Sequence, residues 1–425
     1  MASPYNTGIQ RVVRNIVREA GVVSSALGYE CVPVAFSAGG FRPLMAGAES
    51  ASTTKSGWKP HLLERAVWLD RLLSRLPSAG LYQKLRQVLL GLLHLLKRSV
   101  ASASNVDQAA CPAGFRSGHC AGQSPDVLLL LDSTWDMQMW AAVDEFRASG
   151  GHVCAVLYDL IPFSHPETVE DHTRKMHTTW WSEAPLHLDG VACISQTVRE
   201  QYLAWQAERQ LARQLPPEQV TYFYLGSELS DGATEANDRF AEIGDPSVPY
   251  YLVVGSIEPR KNHALILDAF EMLWNEGKAV NLVIVGGHGW KCESMLDRIY
   301  GHPMFNKRLF LIRQASDAEL GRLYGNAAAL VFASIAEGFG LPIVEAYQRG
   351  ARVICSDIPV FREIAGDRAG YFNPADPASL AEAIAKDGEL APRHQSAEAD
   401  MAWLTWRESA EQLLTRALEL ADKAH

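Results

Sequence analysis

Residues 330–346 read LVFASIAEGFGLPIVEA, and the fold of the chain follows from how this stretch is parsed. Leu330, Val331 and Phe332 form a short apolar run of the kind buried in a parallel sheet. Small and polar residues follow, then a glycine-flanked turn, Glu337-Gly338-Phe339-Gly340. Pro342 marks the first turn of a helix, where a missing N–H costs nothing, and that helix carries Ile343, Glu345 and Ala346. A strand that enters a glycine turn and then a helix N-terminus offers an anion both free N–H groups and the positive end of a dipole. Glu337 and Glu345 make sense beside an anion if the ligand is a phosphate flanked by hydroxyl-rich groups, each carboxylate accepting hydrogen bonds from hydroxyls. The plainer reading is a strand–turn–helix connection with solvated glutamates, and an isolated Gly-x-Gly does not separate the two.

The same rhythm repeats on both sides. Tyr250 to Val254 reads as a strand that enters Gly255-Ser256-Ile257-Glu258-Pro259-Arg260-Lys261-Asn262 and then a helix through Leu265, Ala269, Phe270 and Leu273. Asn281 to Val285 ends in Gly286-Gly287-His288-Gly289. Leu309 to Ile312 leads to Ser316-Asp317-Ala318-Glu319, a capping box opening another helix. Arg352 to Ser356 and Gly370 to Phe372 continue the series, so residues 249–400 are expected to form a doubly wound domain. The polar stretch from Gly226 to Pro249 reads as an interdomain linker.

A first α/β domain, residues 1–245, precedes it. Its apolar strands are Asp126 to Leu131, Val153 to Leu157 and Val191 to Ile194. The second ends in Tyr158-Asp159-Leu160-Ile161-Pro162, followed by His165-Pro166-Glu167. Ligands bind such sheets at the carboxyl ends of the strands, so Asp159 and His165 are candidates for chemistry. A His beside a Pro in a loop is nevertheless more often structural. Gly8 opens a helical pattern of Ile9, Val12, Val13, Ile16, Val17 and Ala20, with Arg11, Arg14 and Arg18 elsewhere on the cylinder. A strand from Cys31 to Phe36 should follow. No strand-length run precedes Gly8, and the expectation is that the true start lies upstream.

Residues 45–125 interrupt this rhythm as an insertion. Two leucine-rich helical patterns, over 62–76 and 81–98, lie between Ser/Thr/Gly-rich ends. The second, with Leu85, Leu89 and Leu93 and the cations Lys84, Arg86, Lys97 and Arg98, fits a peripheral membrane contact. A helical hairpin packed on its own domain is the simpler reading, since amphipathic helices mostly face a core. At the other end, residues 401–425 are read as a helix, roughly Trp403 to Ala421. Its stripe of Ala402, Leu404, Trp406, Ala410, Leu413, Leu414, Ala417 and Leu418 is expected to cross back onto the first domain.

Composition narrows the function classes. A chain of 425 residues with 48% hydrophobic content has ample core for two domains. Its 39 basic and 49 acidic residues, a net charge of −10, argue against a general nucleic-acid binder, which needs a basic footprint. Seven cysteines, an odd number set in apolar contexts, fit a reducing compartment better than a disulfide framework. With no signal segment and no apolar run long enough to span a bilayer, the expectation is a cytoplasmic protein. No His/Cys cluster has metal-ligand spacing.

With VGSIEPRKN at 254–262 and EGFGLPIVEA at 337–346 both in view, the chain resembles the large family of retaining nucleotide-sugar glycosyltransferases often called family four. That family has the GT-B fold of two facing Rossmann-like domains. TGIQRVVRN at 7–15, YDLIPFSHPE at 158–167, SDIPVFREI at 356–364 and WLTWRESAEQLL at 403–414 extend the resemblance over most of the chain. The insertion and the missing first strand lie outside it.

The resemblance implies a role for each candidate residue. Glu345 would bind the ribose of the donor nucleotide and Glu337 the hydroxyls of the transferred sugar. N–H groups of Gly338, Phe339, Gly340 and Leu341 would meet sugar and diphosphate, and Gly8 would also belong to the donor site. Arg260 and Lys261 would clamp the diphosphate. Many relatives have an arginine where Ser256 stands, which leaves Arg260 as the second cation. The base would lie near Arg313, and Asp159 and His165 would face the acceptor, a glycan or lipid-linked sugar. No Asp-x-Asp triplet occurs, so neither a metal nor another cofactor is expected. Sequences of the GSIEPRKN type are similar to mannosyltransferases of bacterial surface polysaccharide assembly, which makes GDP-mannose the first donor to consider. A homologue that binds a nucleotide sugar without transferring it is the alternative.

Overall fold

A computed structural model describes residues 8–37, 40–44, 126–135, 137–228, 243, 245, 247–389 and 403–422. The leucine-rich patterns at 62–76 and 81–98, and with them the choice between hairpin and membrane contact, lie outside the described residues. Among those described, no helix is long and apolar enough to cross a membrane.

The amino-terminal half begins with helix α1 (Gly8–Ala26) and the strands β1 (Val34–Ser37) and β2 (Gly40–Pro43). Then come β3 (Val127–Leu130), α2 (Trp140–Ala148), β4 (His152–Leu157), α3 (Asp171–Glu183), β5 (Gly190–Cys193), α4 (Gln196–Arg209) and β6 (Val220–Tyr222). Strands β3 to β6 pair in chain order and are all parallel. Every residue of β4 is buried, as a strand covered by helices on both faces must be, and its sequence is accordingly an almost unbroken apolar run.

The strand expected at Cys31 to Phe36 takes a different form. Val34–Ser37 is one arm of an antiparallel hairpin with Gly40–Pro43 and is not part of the parallel sheet. Ser37 pairs with Gly40, and so short a return permits only antiparallel pairing, since parallel neighbours need a crossover of a dozen residues or more. Phe36 and Phe41, with ring centroids 5.4 Å apart, fasten the hairpin to the core of the first domain.

The second half contains β7 (Tyr250–Val254), α5 (His263–Asn275), β8 (Asn281–Val285), α6 (Glu293–Tyr300), β9 (Leu309–Ile312) and α7 (Asp317–Asn326). It continues with β10 (Ala329–Phe332), α8 (Leu341–Gln348), β11 (Arg352–Ser356), α9 (Pro359–Ala365), β12 (Gly370–Phe372) and α10 (Pro377–Gly388). The parallel sheet has the order β12-β11-β10-β7-β8-β9. Chain direction through the sheet reverses between β10 and β7, and the loops leaving those two strands border the crevice where open α/β sheets take ligands.

The last helix, α11 (Trp406–Asp422), packs on α1 and on the strands of the first sheet. Ser409 donates to the Tyr224 carbonyl at 2.7 Å, and Trp406, Leu413 and Leu420 are buried. One apolar core joins Val12 and Ile16 of α1, Phe223, Leu252, Leu330, Ile343 and Trp406. The facing sides of the two domains are thus bonded through shared hydrophobic packing. Truncating a member such as Leu413 to Ala would cost about 2–5 kcal/mol.

Candidate active site

The turn after β10 is one place where the two domains touch. Gly340 takes a left-handed conformation, φ 111°, and so reverses the chain just before α8 begins at Leu341. Gly338 lies against the other domain: a β-carbon there would collide with the Tyr158 carbonyl. The buried Ser195 hydroxyl, which caps α4 by accepting from Val198 N, also donates to the Gly338 carbonyl at 2.8 Å. Phe339 inserts its ring beside Tyr224 and Trp403, with centroids 6.2 and 6.0 Å away. Leu341 packs at the margin of the shared core.

A buried charge cluster sits beside this turn. The Glu337 carboxylate receives Lys261 Nζ at 2.5 Å, Arg260 Nη1 at 2.6 Å and the Ser334 hydroxyl at 2.8 Å. Burial alone would raise its pKa, but the two cations outweigh that and hold it down at about 2. Arg260 also donates to the Ala336 carbonyl at 2.9 Å and to Glu258 at 2.7 Å. Burial opposes its charge, yet Glu337 and Glu258 together push its pKa up. For Lys261 burial wins and the pKa falls, in spite of Glu337. Its ammonium lies 4.7 Å from the centroid of the Phe332 ring.

The first domain adds a third carboxylate to this cluster. Asp159, just past β4, accepts from Ile161 N at 3.0 Å. Burial raises its pKa and the Arg260 charge lowers it, so it feels the guanidinium of the second domain. His165, six residues on, meets Ser164 through Nδ1 at 2.9 Å. Among the described residues no hydrogen bond or ion pair joins it to the cluster.

Glu345 lies elsewhere, one turn into α8 and 2% exposed. It forms an ion pair with Arg11 of α1, and Tyr324 Oη donates to its other oxygen at 2.8 Å. Gly8 is the exposed first residue of α1, and Ser256 is exposed just after Gly255. Arg313, following β9, meets the His288 ring and lies 5.9 Å from the Tyr300 centroid. The structure therefore brings Arg260, Lys261, Glu337 and Asp159 together, and sets Glu345 and Arg313 at other points along the carboxyl edge of the second sheet. Among the described residues no three His, Cys, Asp or Glu side chains converge as a metal site requires.

Sequence reasoning passed over three residues here. Glu258 and Tyr324 read as ordinary loop and helix positions. Arg11 read only as one cation on the polar face of α1, and its position three residues after Gly8 was the available signal.

Further contacts hold the domains face to face. Glu363 of α9 accepts from the backbone N–H groups of Gln196 and Thr197 at 2.7 and 2.8 Å, at the start of α4. Trp290 Nε1 donates to the Thr168 carbonyl at 2.6 Å, and Lys291 Nζ to the Glu167 carbonyl at 2.8 Å.

Two Rossmann-like domains, the second doubly wound, facing each other over a charged crevice define the GT-B architecture. Residues 235–395 match the family of glycosyl transferases group 1, and the chain carries a domain of that family. It is 38% identical over 299 residues to the serotype-specific mannosyltransferase WbdA of Escherichia coli, an alignment covering 68% of this chain and 36% of that one. It is 40% identical over 136 residues to the O-antigen chain mannosyltransferase RfbU of Salmonella typhimurium, covering 32% of this chain and 37% of the relative. The chain thus spans little more than a third of these relatives' length. The N-terminal domain of Candida albicans trehalose-6-phosphate phosphatase shares the fold, with a TM-score of 0.54 and 13% identity over 70% of this chain and 71% of that one.

Proposed function

We propose that the protein is a retaining glycosyltransferase that moves a sugar from a nucleotide donor to a glycan or lipid-linked acceptor in surface polysaccharide assembly. The observation that carries this reading is the buried meeting of Arg260 and Lys261 with Glu337, beside the N-terminus of α8 and opposite Asp159. A departing nucleoside diphosphate gains negative charge in the transition state, and cations fixed in a water-poor crevice stabilise that charge without reorganising. Arg260 and Lys261 take the part that a metal ion would otherwise play. Glu337 keeps both of them aimed and accepts hydrogen bonds from the transferred sugar. The leaving phosphate takes the acceptor's proton on the same face, so configuration is retained and no carboxylate nucleophile is needed. Asp159, whose burial favours its neutral form, orients the incoming hydroxyl.

The names of both sequence relatives carry mannosyl transfer, and one of them the O-antigen chain. That supports mannose as the sugar and GDP-mannose as the donor. The test is a thermal-shift and saturation-transfer screen with GDP-mannose, UDP-glucose and dTDP-rhamnose. A donor at a hundredfold excess over its Kd adds about 2.7 kcal/mol of stability, enough to raise the melting temperature by several degrees. A clear shift with GDP-mannose and weaker shifts with the others are expected. No shift with any of the three would sink the proposal.

A further inference from the structure

Glu345 is an unusual residue to find at a domain boundary. It is nearly buried, yet each of its oxygens already has a fixed donor. Arg11 Nη1 pairs with Oε1 from the first domain, and the buried Tyr324 hydroxyl reaches Oε2 from α7 at 2.8 Å. Arg11 and Glu345 are 334 positions apart in the chain. An ion pair taken out of water adds little net stability over an apolar pair of the same volume, so what it provides here is geometry. Arginine suits that purpose, because its planar guanidinium fixes a carboxylate's direction where an ammonium fixes only a distance.

We propose that Arg11 is a positioning residue of the donor site, contributed by the opposite domain, which holds the Glu345 carboxylate in register for the ribose diol of a nucleoside diphosphate. The proposal rests on the glycosyltransferase reading above, and specifically on Glu345 as the ribose acceptor. A carboxylate offers about four lone-pair sites. With Arg11 on one oxygen and Tyr324 on the other, each oxygen keeps one site. Two neighbouring acceptors match two hydroxyls on adjacent carbons.

The support for Arg11 is itself rigid. It sits on the first turn of α1, whose next residue, Val12, and Ile16 are in the core shared by both domains. Asp317, at the start of α7, adds a second negative charge in the neighbourhood of the guanidinium. A side chain held from both ends on packed helices can keep a carboxylate within the narrow range that recognition needs.

The test is calorimetry on the full chain with GDP and with 2′,3′-dideoxy-GDP, or with the corresponding uridine pair if the donor screen returns UDP. The wild type should prefer the ribose form by roughly tenfold or more, the size expected for hydrogen bonds to a charged acceptor. Arg11→Met should lower affinity for GDP by about the same factor and leave the dideoxy nucleotide unchanged, so that the preference disappears. Should Arg11→Met fail to fold, Arg11→Lys keeps the charge without the planar contact and should show a preference at least threefold smaller. Undiminished discrimination in whichever variant folds, or tighter GDP binding by it, would overturn the role of Arg11. A wild type that binds both nucleotides equally would instead remove the ribose assignment of Glu345, and this proposal with it.

Discussion

Lys261 and Glu337 are 76 positions apart, yet the ammonium of one lies 2.5 Å from the carboxylate of the other. Each stands on the loop that leaves one of the two neighbouring strands, β7 and β10, between which the sheet reverses its order. The pair therefore ties together the two motifs that the sequence presents separately. Its chemistry leads to the first prediction.

Glu337 stays ionised in the folded protein down to about pH 2, whereas an ordinary glutamate takes up its proton near 4.5. Its folded pKa being the lower, its contribution to stability is complete above about pH 4.5 and is lost as pH falls toward about 2, roughly 3 kcal/mol in all. Asp159 and Glu258 are shifted upward by burial and act in the opposite sense, blunting the loss. Between about pH 5 and about pH 3 the urea midpoint of the wild type should fall more steeply than that of Glu337→Gln. Parallel slopes would mean the cluster contributes nothing to acid sensitivity.

Gly338→Ala should loosen the domain contact. The added β-carbon meets the Tyr158 carbonyl, a backbone atom with no rotamer to move into, and the Ser195 bond to the Gly338 carbonyl is strained with it. A cost of about 1–3 kcal/mol is expected, as for other overpacked sites, read as a lower denaturant midpoint and weaker donor binding. Gly21→Ala is the control. It lies inside α1 with nothing near its β position, and should be neutral or stabilising by about 0.5–1 kcal/mol. Equal stability in the two variants would refute the close contact at Gly338.

Glu363 supplies the first helical turn of α4 with an acceptor from the other domain, bonding the N–H groups of Gln196 and Thr197 and, at 2.5 Å, the Thr197 hydroxyl. The negative charge also meets the positive end of the α4 dipole. Glu363→Ala should cost about 0.5–2 kcal/mol, the usual value of a lost N-cap, and Glu363→Gln less. Limited proteolysis of the full chain would report the domain contact directly, with faster cleavage expected in the alanine variant. Wild-type cleavage rates would show that this cap does not help to hold the domains together.

The fold was legible in the sequence wherever a short apolar run entered a glycine turn, because parallel strands buried on both faces cannot alternate and their carboxyl-end turns need glycine. The antiparallel hairpin at Val34–Pro43 was not legible: Cys31 to Phe36 has the composition of any strand, and only its return at Gly40 decides the partner. The cations of the 254–262 motif stood out beside Glu337 because each lies in a loop where ligand chemistry is expected. Arg11 was hidden, since a cation on an amphipathic helix looks solvated until another domain is packed over it. Asp159 and His165 lie on either side of the short helix Ile161–Ser164, and no local pattern says that the aspartate enters the charge cluster while the histidine turns to Ser164.

Glu337 and Glu345 should fail in different ways. Glu345, if it binds ribose, touches a part of the donor that changes little during transfer. Its removal takes away mostly uniform binding, so Glu345→Ala should raise KM more than it lowers kcat. Glu337, if it binds the sugar, faces the unit that acquires oxocarbenium character as it leaves phosphate for the acceptor. Its interactions strengthen toward the transition state, and Glu337→Gln should lower kcat on the order of 10²-fold, the loss typical of one positioned electrostatic group. Binding of the free nucleoside diphosphate separates the two further. Arg260 and Lys261 are both neutralised by Glu337, so Glu337→Gln leaves them with less counter-charge and should bind the diphosphate as well as the wild type or better. Glu345→Ala should bind it more weakly. Calorimetry on the two variants distinguishes these outcomes, and equal loss in both, or loss in neither, would mean that the ribose and sugar ends of the ligand have been assigned to the wrong carboxylates.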